Sequence, residues 1–96
     1  MQRRNTETLS SLIARYLRTE GLETPLAQRR AIDAWPTIAG SEAAECTEDV
    51  SIRGQIMTVR LNSPLVRHEL FIRREALIKA LNKAAGANVI YELRLS

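Results

Sequence analysis

The sequence predicts an α+β fold of order α-α-β-β-α-β, a two-layer sandwich of three helices on one face of a three-stranded sheet. Three observations lead there. Residues 63–86 carry an apolar stripe at helical spacing, residues 50–61 read as a hairpin, and residues 89–95 alternate like a strand. A chain of 96 residues makes one domain over 1–96, with room for one modest core.

The elements follow in order. Gln2 to Asn5 is a polar lead-in, and Thr6 is a fitting N-cap. Leu9, Leu12, Ile13, Tyr16 and Leu17 then recur at amphipathic spacing up to Gly21-Leu22, which reads as a Schellman-type stop. Thr24-Pro25 opens a second helix with proline at its first position. Ala27, Ala31 and Ala34 on one face suit close approach to another helix, and Trp35 is a core anchor. Pro36 is expected to end or kink this helix at Trp35, with a short helical piece resuming toward Ala44 and weakened at Gly40. Glu42, Glu45, Glu48 and Asp49 read as a solvated acidic face, since no histidine or calcium-type loop accompanies them.

Val50 and Ile52 lead into Arg53-Gly54, a turn signal, and Met57, Val59 and Leu61 alternate against Thr58 and Arg60. The long helix follows, with Ser63 as N-cap, Pro64 at the first position and Gly86 as a left-handed stop. It reads as uninterrupted, about six turns long at ~1.5 Å per residue. Val66, Leu70, Leu77, Leu81 and Ala84 form its stripe, widened by Phe71, Ile78 and Ala85. Val89, Tyr91, Leu93 and Leu95 then form the third strand, parallel to the second because the helix between them makes a right-handed crossover. The other face of the sheet is expected to be solvent-exposed.

Composition excludes several classes of function. There is no apolar run of membrane-spanning length and no signal-peptide pattern, so the expected location is the cytoplasm, away from membranes. Cys46 is alone and reads as a small buried hydrophobe. The single histidine, His68, falls on an exposed face without a nucleophile or orienting group converging on it. The four glycines are isolated, so no phosphate-cradling loop is present. The chain is read as a non-enzyme without metal or cofactor.

Charge is unevenly placed. Residues 1–49 hold six basic and eight acidic side chains, whereas residues 50–96 hold eight basic and three acidic. Arg60, Arg67, Arg73, Arg74 and Lys79 are the candidate contacts for nucleic acid or a partner. Glu69–Arg73 and Glu75–Lys79 have the spacing of helix-stabilising pairs, which gives Arg73 and Lys79 a structural role as well. Arg67 and Arg74 lack such partners four residues earlier and border the apolar stripe, so they lead the list. Tyr16, Trp35 and Tyr91 fall at core phases, which argues against a base-stacking platform on the sheet.

In their order these signals resemble the bacterial DciA family: Gly21-Leu22 after the first amphipathic helix, Trp35 followed by Gly40, the short helix Glu42–Thr47, the hairpin IRGQIMTVRLNS, Leu65-Val66-Arg67-His68-Glu69-Leu70, Leu81-Asn82, and Val89 with Leu93-Arg94-Leu95. The resemblance spans nearly the whole chain and is closest to short, single-domain members. It implies a K-homology-like domain, a fold that in one topology runs α-β-β-α-α-β. It also implies assistance to the replicative DNA helicase together with weak DNA binding. Three departures accompany it. K-homology domains grip a nucleic-acid backbone with a GxxG loop between two helices, but here that place reads as continuous helix through Arg73-Arg74-Glu75-Ala76, so no such clamp is expected. Longer members carry a basic extension, whereas this sequence stops at Ser96. Val66 stands where the family often has an aromatic residue.

Two functional readings follow. One is a DNA-replication accessory domain that touches the replicative helicase and weakly binds DNA. The other is a protein-interaction adaptor without nucleic-acid contact, docking a partner segment at an open sheet edge or arginine-bordered groove, with homo-oligomerisation as a variant.

Overall fold

The computed structural model of the protein describes residues 23–96. The amphipathic stretch 6–20 and its Gly21-Leu22 stop lie outside the described residues. The remainder is α+β, with elements α1 (Glu23–Ala39), α2 (Ser41–Cys46), β1 (Thr47–Arg53), β2 (Ile56–Leu61), α3 (Pro64–Ile72), α4 (Arg74–Ala85) and β3 (Glu92–Leu95). The helices pack on a three-stranded mixed sheet, as the sequence predicts, and the strand order, which the sequence pattern leaves open, is β1-β2-β3.

The hairpin register places the core. β1 and β2 are antiparallel, with Val50 opposite Val59 and Ile52 opposite Met57. β2 and β3 are parallel, with Met57 opposite Leu93 and Val59 opposite Leu95. Side chains alternate between the faces of a strand, so these six pairing residues share the face covered by helices. Thr58, Arg60, Glu92 and Arg94 take the other face. Gly54 turns the hairpin with φ of 64°, a value open to glycine at no steric cost. An extra residue in β1, Glu48, bulges between Thr47 and Asp49.

α1 lies against α4 through small residues. Ala27 and Ala31 are fully buried, and Trp35 is buried at 1% exposure as the anchor the sequence predicts. The indole Nε1 donates to Thr47 Oγ1 at 3.0 Å, and that hydroxyl donates to the Ala43 carbonyl at 2.7 Å. Buried indole N–H groups need such a partner. Of the two outcomes expected at Pro36, an end does not occur: α1 runs through it to Ala39. Pro36 is exposed, while Trp35 and Ala39 on the buried side hold the turn in place. Gly40, with φ of 99°, separates α1 from α2.

The long helix is two helices. Ser63 caps α3 as predicted, its Oγ accepting from Val66 N–H at 3.3 Å, and Pro64 occupies the first turn. At Arg73 the backbone leaves helical geometry (φ −94°, ψ 8°), and its N–H bonds the Leu70 carbonyl at 3.0 Å. α4 starts on the next residue. The break lets Val66 and Leu70 reach the sheet while Leu77, Leu81 and Ala85 face the core alongside α1. No glycine or proline marks it, so tertiary packing overrides local propensity there. Ala84, expected on the buried stripe, is exposed, and Ala85 takes its place.

β3 is shorter than predicted for a reason visible in one side chain. Asn82 Oδ1 accepts from the N–H groups of Val89 and Ile90, each at 3.0 Å, and its Nδ2 donates to the Ile90 carbonyl at 3.0 Å. This holds two consecutive apolar residues in a loop where both are buried. The alternation therefore begins only at Glu92, and Tyr91, expected in the core, is 70% exposed.

Candidate partner-binding groove

β3 is one of the two edge strands of the sheet, and α3 and α4 approach it from the helical layer. Between them lies a groove of about 600 Å³ lined by Phe71, Arg74, Glu75, Ile78 and residues 91–96. A smaller hollow of about 280 Å³, lined by Pro64, Arg67, His68, Phe71 and Leu95, continues it along α3. Phe71 and Leu95 belong to both, so Arg67 and Arg74 border one continuous depression.

The chain geometry accounts for this arrangement. Pro64, Arg67, His68 and Phe71 fall at i, i+3, i+4 and i+7 on α3, one side of a helix. The turn at Arg73 then sets Arg74 at the start of α4, beside Phe71. The Arg74 guanidinium carbon is 4.3 Å from the centroid of the Phe71 ring, and Nη1 donates to the Phe71 carbonyl at 3.2 Å. Phe71, counted with the core stripe in the sequence, is 52% exposed because the helix ends immediately after it.

The five predicted contacts do not converge. Arg67 and Arg74 share the groove. Arg73 is exposed at the break between the helices. Lys79 lies further along α4, bordering a separate hollow of about 430 Å³ with Asn82, Lys83, Gly86, Ala87 and Asn88. Arg60 is on the opposite face of the sheet, where Nε is 3.4 Å from Glu48 Oε1 across the bulge. Exposed pairs of this kind are worth no more than about 1 kcal/mol. Among the described residues neither Glu69–Arg73 nor Glu75–Lys79 forms an ion pair. For Arg73 the cause is plain, since the residue has left the helix on which the spacing depends.

Sequence reasoning missed Tyr91 and Arg94 as groove residues. Arg94 lies in β3 with Nε 2.6 Å from Glu92 Oε2. Their placement depends on where β3 starts, which Asn82 decides and alternation alone does not reveal. The acidic side chains of α2 and β1 are exposed. Among the described residues no group of three or more His, Cys, Asp or Glu side chains could hold a metal ion. No helix among them is long and apolar enough to cross a membrane.

The fold and groove define a small α+β domain with a depression beside the edge of β3, bordered by two arginines. The chain belongs to the DciA family: the family model described as "Dna[CI] antecedent, DciA" matches residues 8–95. DciA is a family of replication-associated, non-catalytic accessory proteins of the replicative helicase. No curated protein matches the chain.

Proposed function

We propose that the chain is a non-catalytic accessory domain that touches the replicative DNA helicase directly and binds DNA weakly through Arg67 and Arg74, with Arg73 and Lys79 as outlying contacts. The observation that carries this reading is the family match over residues 8–95, joined to the meeting of Arg67 and Arg74 at one groove. Residues seven apart lie on one side of a continuous helix, and Arg67 and Arg74 still border one depression across the break at Arg73.

The K-homology likeness gains support from the break. With α2 set aside as a short insertion, the described order is α-β-β-α-α-β, and the two helices before β3 meet at Arg73-Arg74. That junction stands where a K-homology domain has its GxxG loop. It carries two arginine side chains instead of glycine backbone. Any hold on phosphate at this junction comes from guanidinium forks, which suit phosphate geometry.

A salt titration of binding to single-stranded and duplex DNA tests the nucleic-acid half. Affinity is expected to fall with a slope of about −0.7 per neutralised phosphate on single strands. Arg67→Glu with Arg74→Glu should weaken binding and flatten that slope, and Arg60→Glu should leave both unchanged. Absence of binding at ~50 mM salt contradicts the DNA contact.

A further inference from the structure

We propose that the open edge of β3 takes an extended acidic peptide segment as a fourth strand, with apolar side chains entering the groove against Phe71 and Ile78. The proposal rests on the accessory reading above and names the kind of partner segment that would bind there.

Hydrogen bonding defines the edge. Ser96 N–H donates to the Val59 carbonyl at 3.0 Å, the Ser96 carbonyl accepts from Leu61 N–H at 2.8 Å, and Glu92 N–H donates to the Gln55 carbonyl at 3.4 Å. Main-chain groups alternate sides along a strand, so Glu92, Arg94 and Ser96 face β2. The N–H and C=O groups of Leu93 and Leu95 therefore point away from it. Among the described residues no strand pairs with that side. Such an edge is a template for strand addition.

The groove beside this edge supplies the pockets that strand addition requires. Phe71 and Ile78 wall it from the helices, and Leu93 and Leu95 lie on the strand itself. Its charge selects the segment. Arg94 is already paired with Glu92, whereas Arg67 and Arg74 form no ion pair among the described residues. Glu75 is the lining carboxylate side chain that remains unpaired among them. With the Glu92–Arg94 pair set aside as balanced, two guanidiniums and one carboxylate are left without an ion pair among the described residues, which favours an acidic segment over a basic one.

The edge also discriminates between occupants. A helix satisfies its own main-chain groups and leaves those of Leu93 and Leu95 unmatched. A nucleic-acid strand offers phosphate acceptors for an N–H but no row of donors at strand spacing for the carbonyls. An extended peptide satisfies both.

The test is an NMR titration of the full, isotope-labelled chain with a short synthetic peptide of alternating valine and threonine, with aspartate at each end. Amide shifts are expected at Leu93 and Leu95, with accompanying shifts of the Phe71 ring. A copy of the peptide N-methylated at alternate amides, in the register facing β3, should bind about tenfold more weakly. Arg67→Glu with Arg74→Glu should weaken the aspartate peptide and strengthen a lysine-ended one, an exchange that misfolding would not produce. The proposal is overturned if Leu93 and Leu95 do not shift at millimolar peptide, or if the N-methylated copy binds equally well. It is also overturned if oligothymidine shifts these amides and the peptide does not. Helicase capture by the chain is scored separately. Capture without peptide binding removes this proposal alone, and peptide binding without capture removes the accessory reading while the edge site stands.

Discussion

Arg74 is fastened to Phe71 twice, by its guanidinium over the ring at 4.3 Å and by a hydrogen bond to the Phe71 carbonyl at 3.2 Å. The two residues belong to different helices, on either side of the turn at Arg73. A cation and an exposed aromatic ring thereby share one rim of the groove. Arg74→Ala is expected to cost about 0.5–1 kcal/mol of stability, the range for an exposed cation–π contact. Its loss in partner or DNA affinity should exceed that. Arg74→Lys should restore less than half of the affinity, since an ammonium lacks the planar fork. Calorimetry of binding beside a denaturation curve separates the two effects.

Trp35 and Thr47 make the second relationship that invites a mutation. Trp35→Ala should cost about 3–5 kcal/mol, the usual range for a fully buried aromatic. Thr47→Val keeps the shape and removes the hydroxyl that accepts from the indole and donates to Ala43. The expected cost is about 1–3 kcal/mol, because the indole N–H is left without its partner. Urea midpoints with unchanged slope report it.

Asn82 holds the segment before β3 with three hydrogen bonds. Asn82→Ala leaves the Val89 and Ile90 main-chain groups unpaired, at an expected cost of about 2–3 kcal/mol. Asn82→Asp keeps both acceptor bonds but loses the donor to the Ile90 carbonyl, so it should fall between wild type and alanine. Hydrogen exchange at Val89 and Ile90 should rise in both variants, ahead of exchange in β2.

Gly86 closes α4 in the left-handed conformation, φ 80° and ψ 11°. A Cβ there would meet only Arg30 Nη1 at 3.9 Å, an ordinary contact. The cost of Gly86→Ala is therefore backbone strain alone, about 1–2 kcal/mol. Gly86→Asn should cost less than alanine, since asparagine tolerates this region. Equal stability of the alanine and asparagine variants would place the cost elsewhere.

These residues also show what the sequence reveals and where it stops. Ser63-Pro64, Gly86, Gly54 and the alternation of Met57, Val59 and Leu61 are local signals, and each element they mark is present. Trp35 is legible because a lone tryptophan on an alanine-lined helix face has few places to go. The break at Arg73 carries no local signal: Ile72-Arg73-Arg74 reads as ordinary helix, and only packing against β2, β3 and α1 divides it. Tyr91 is misplaced for a related reason. Alternation assumes a strand, and Asn82, seven residues before Val89, holds that stretch as a loop. The groove depends on both features. Arg67 and Arg74 are identifiable from their position beside the stripe, but their meeting with Phe71 and the edge of β3 is a property of the folded chain.

The most direct test of the central claim is capture of the replicative helicase by the immobilised chain, with and without nuclease digestion. Retention of the helicase after digestion is the expected result, reduced by Arg67→Glu with Arg74→Glu. Failure to capture it, or its complete loss on digestion, contradicts a direct contact between this domain and the helicase.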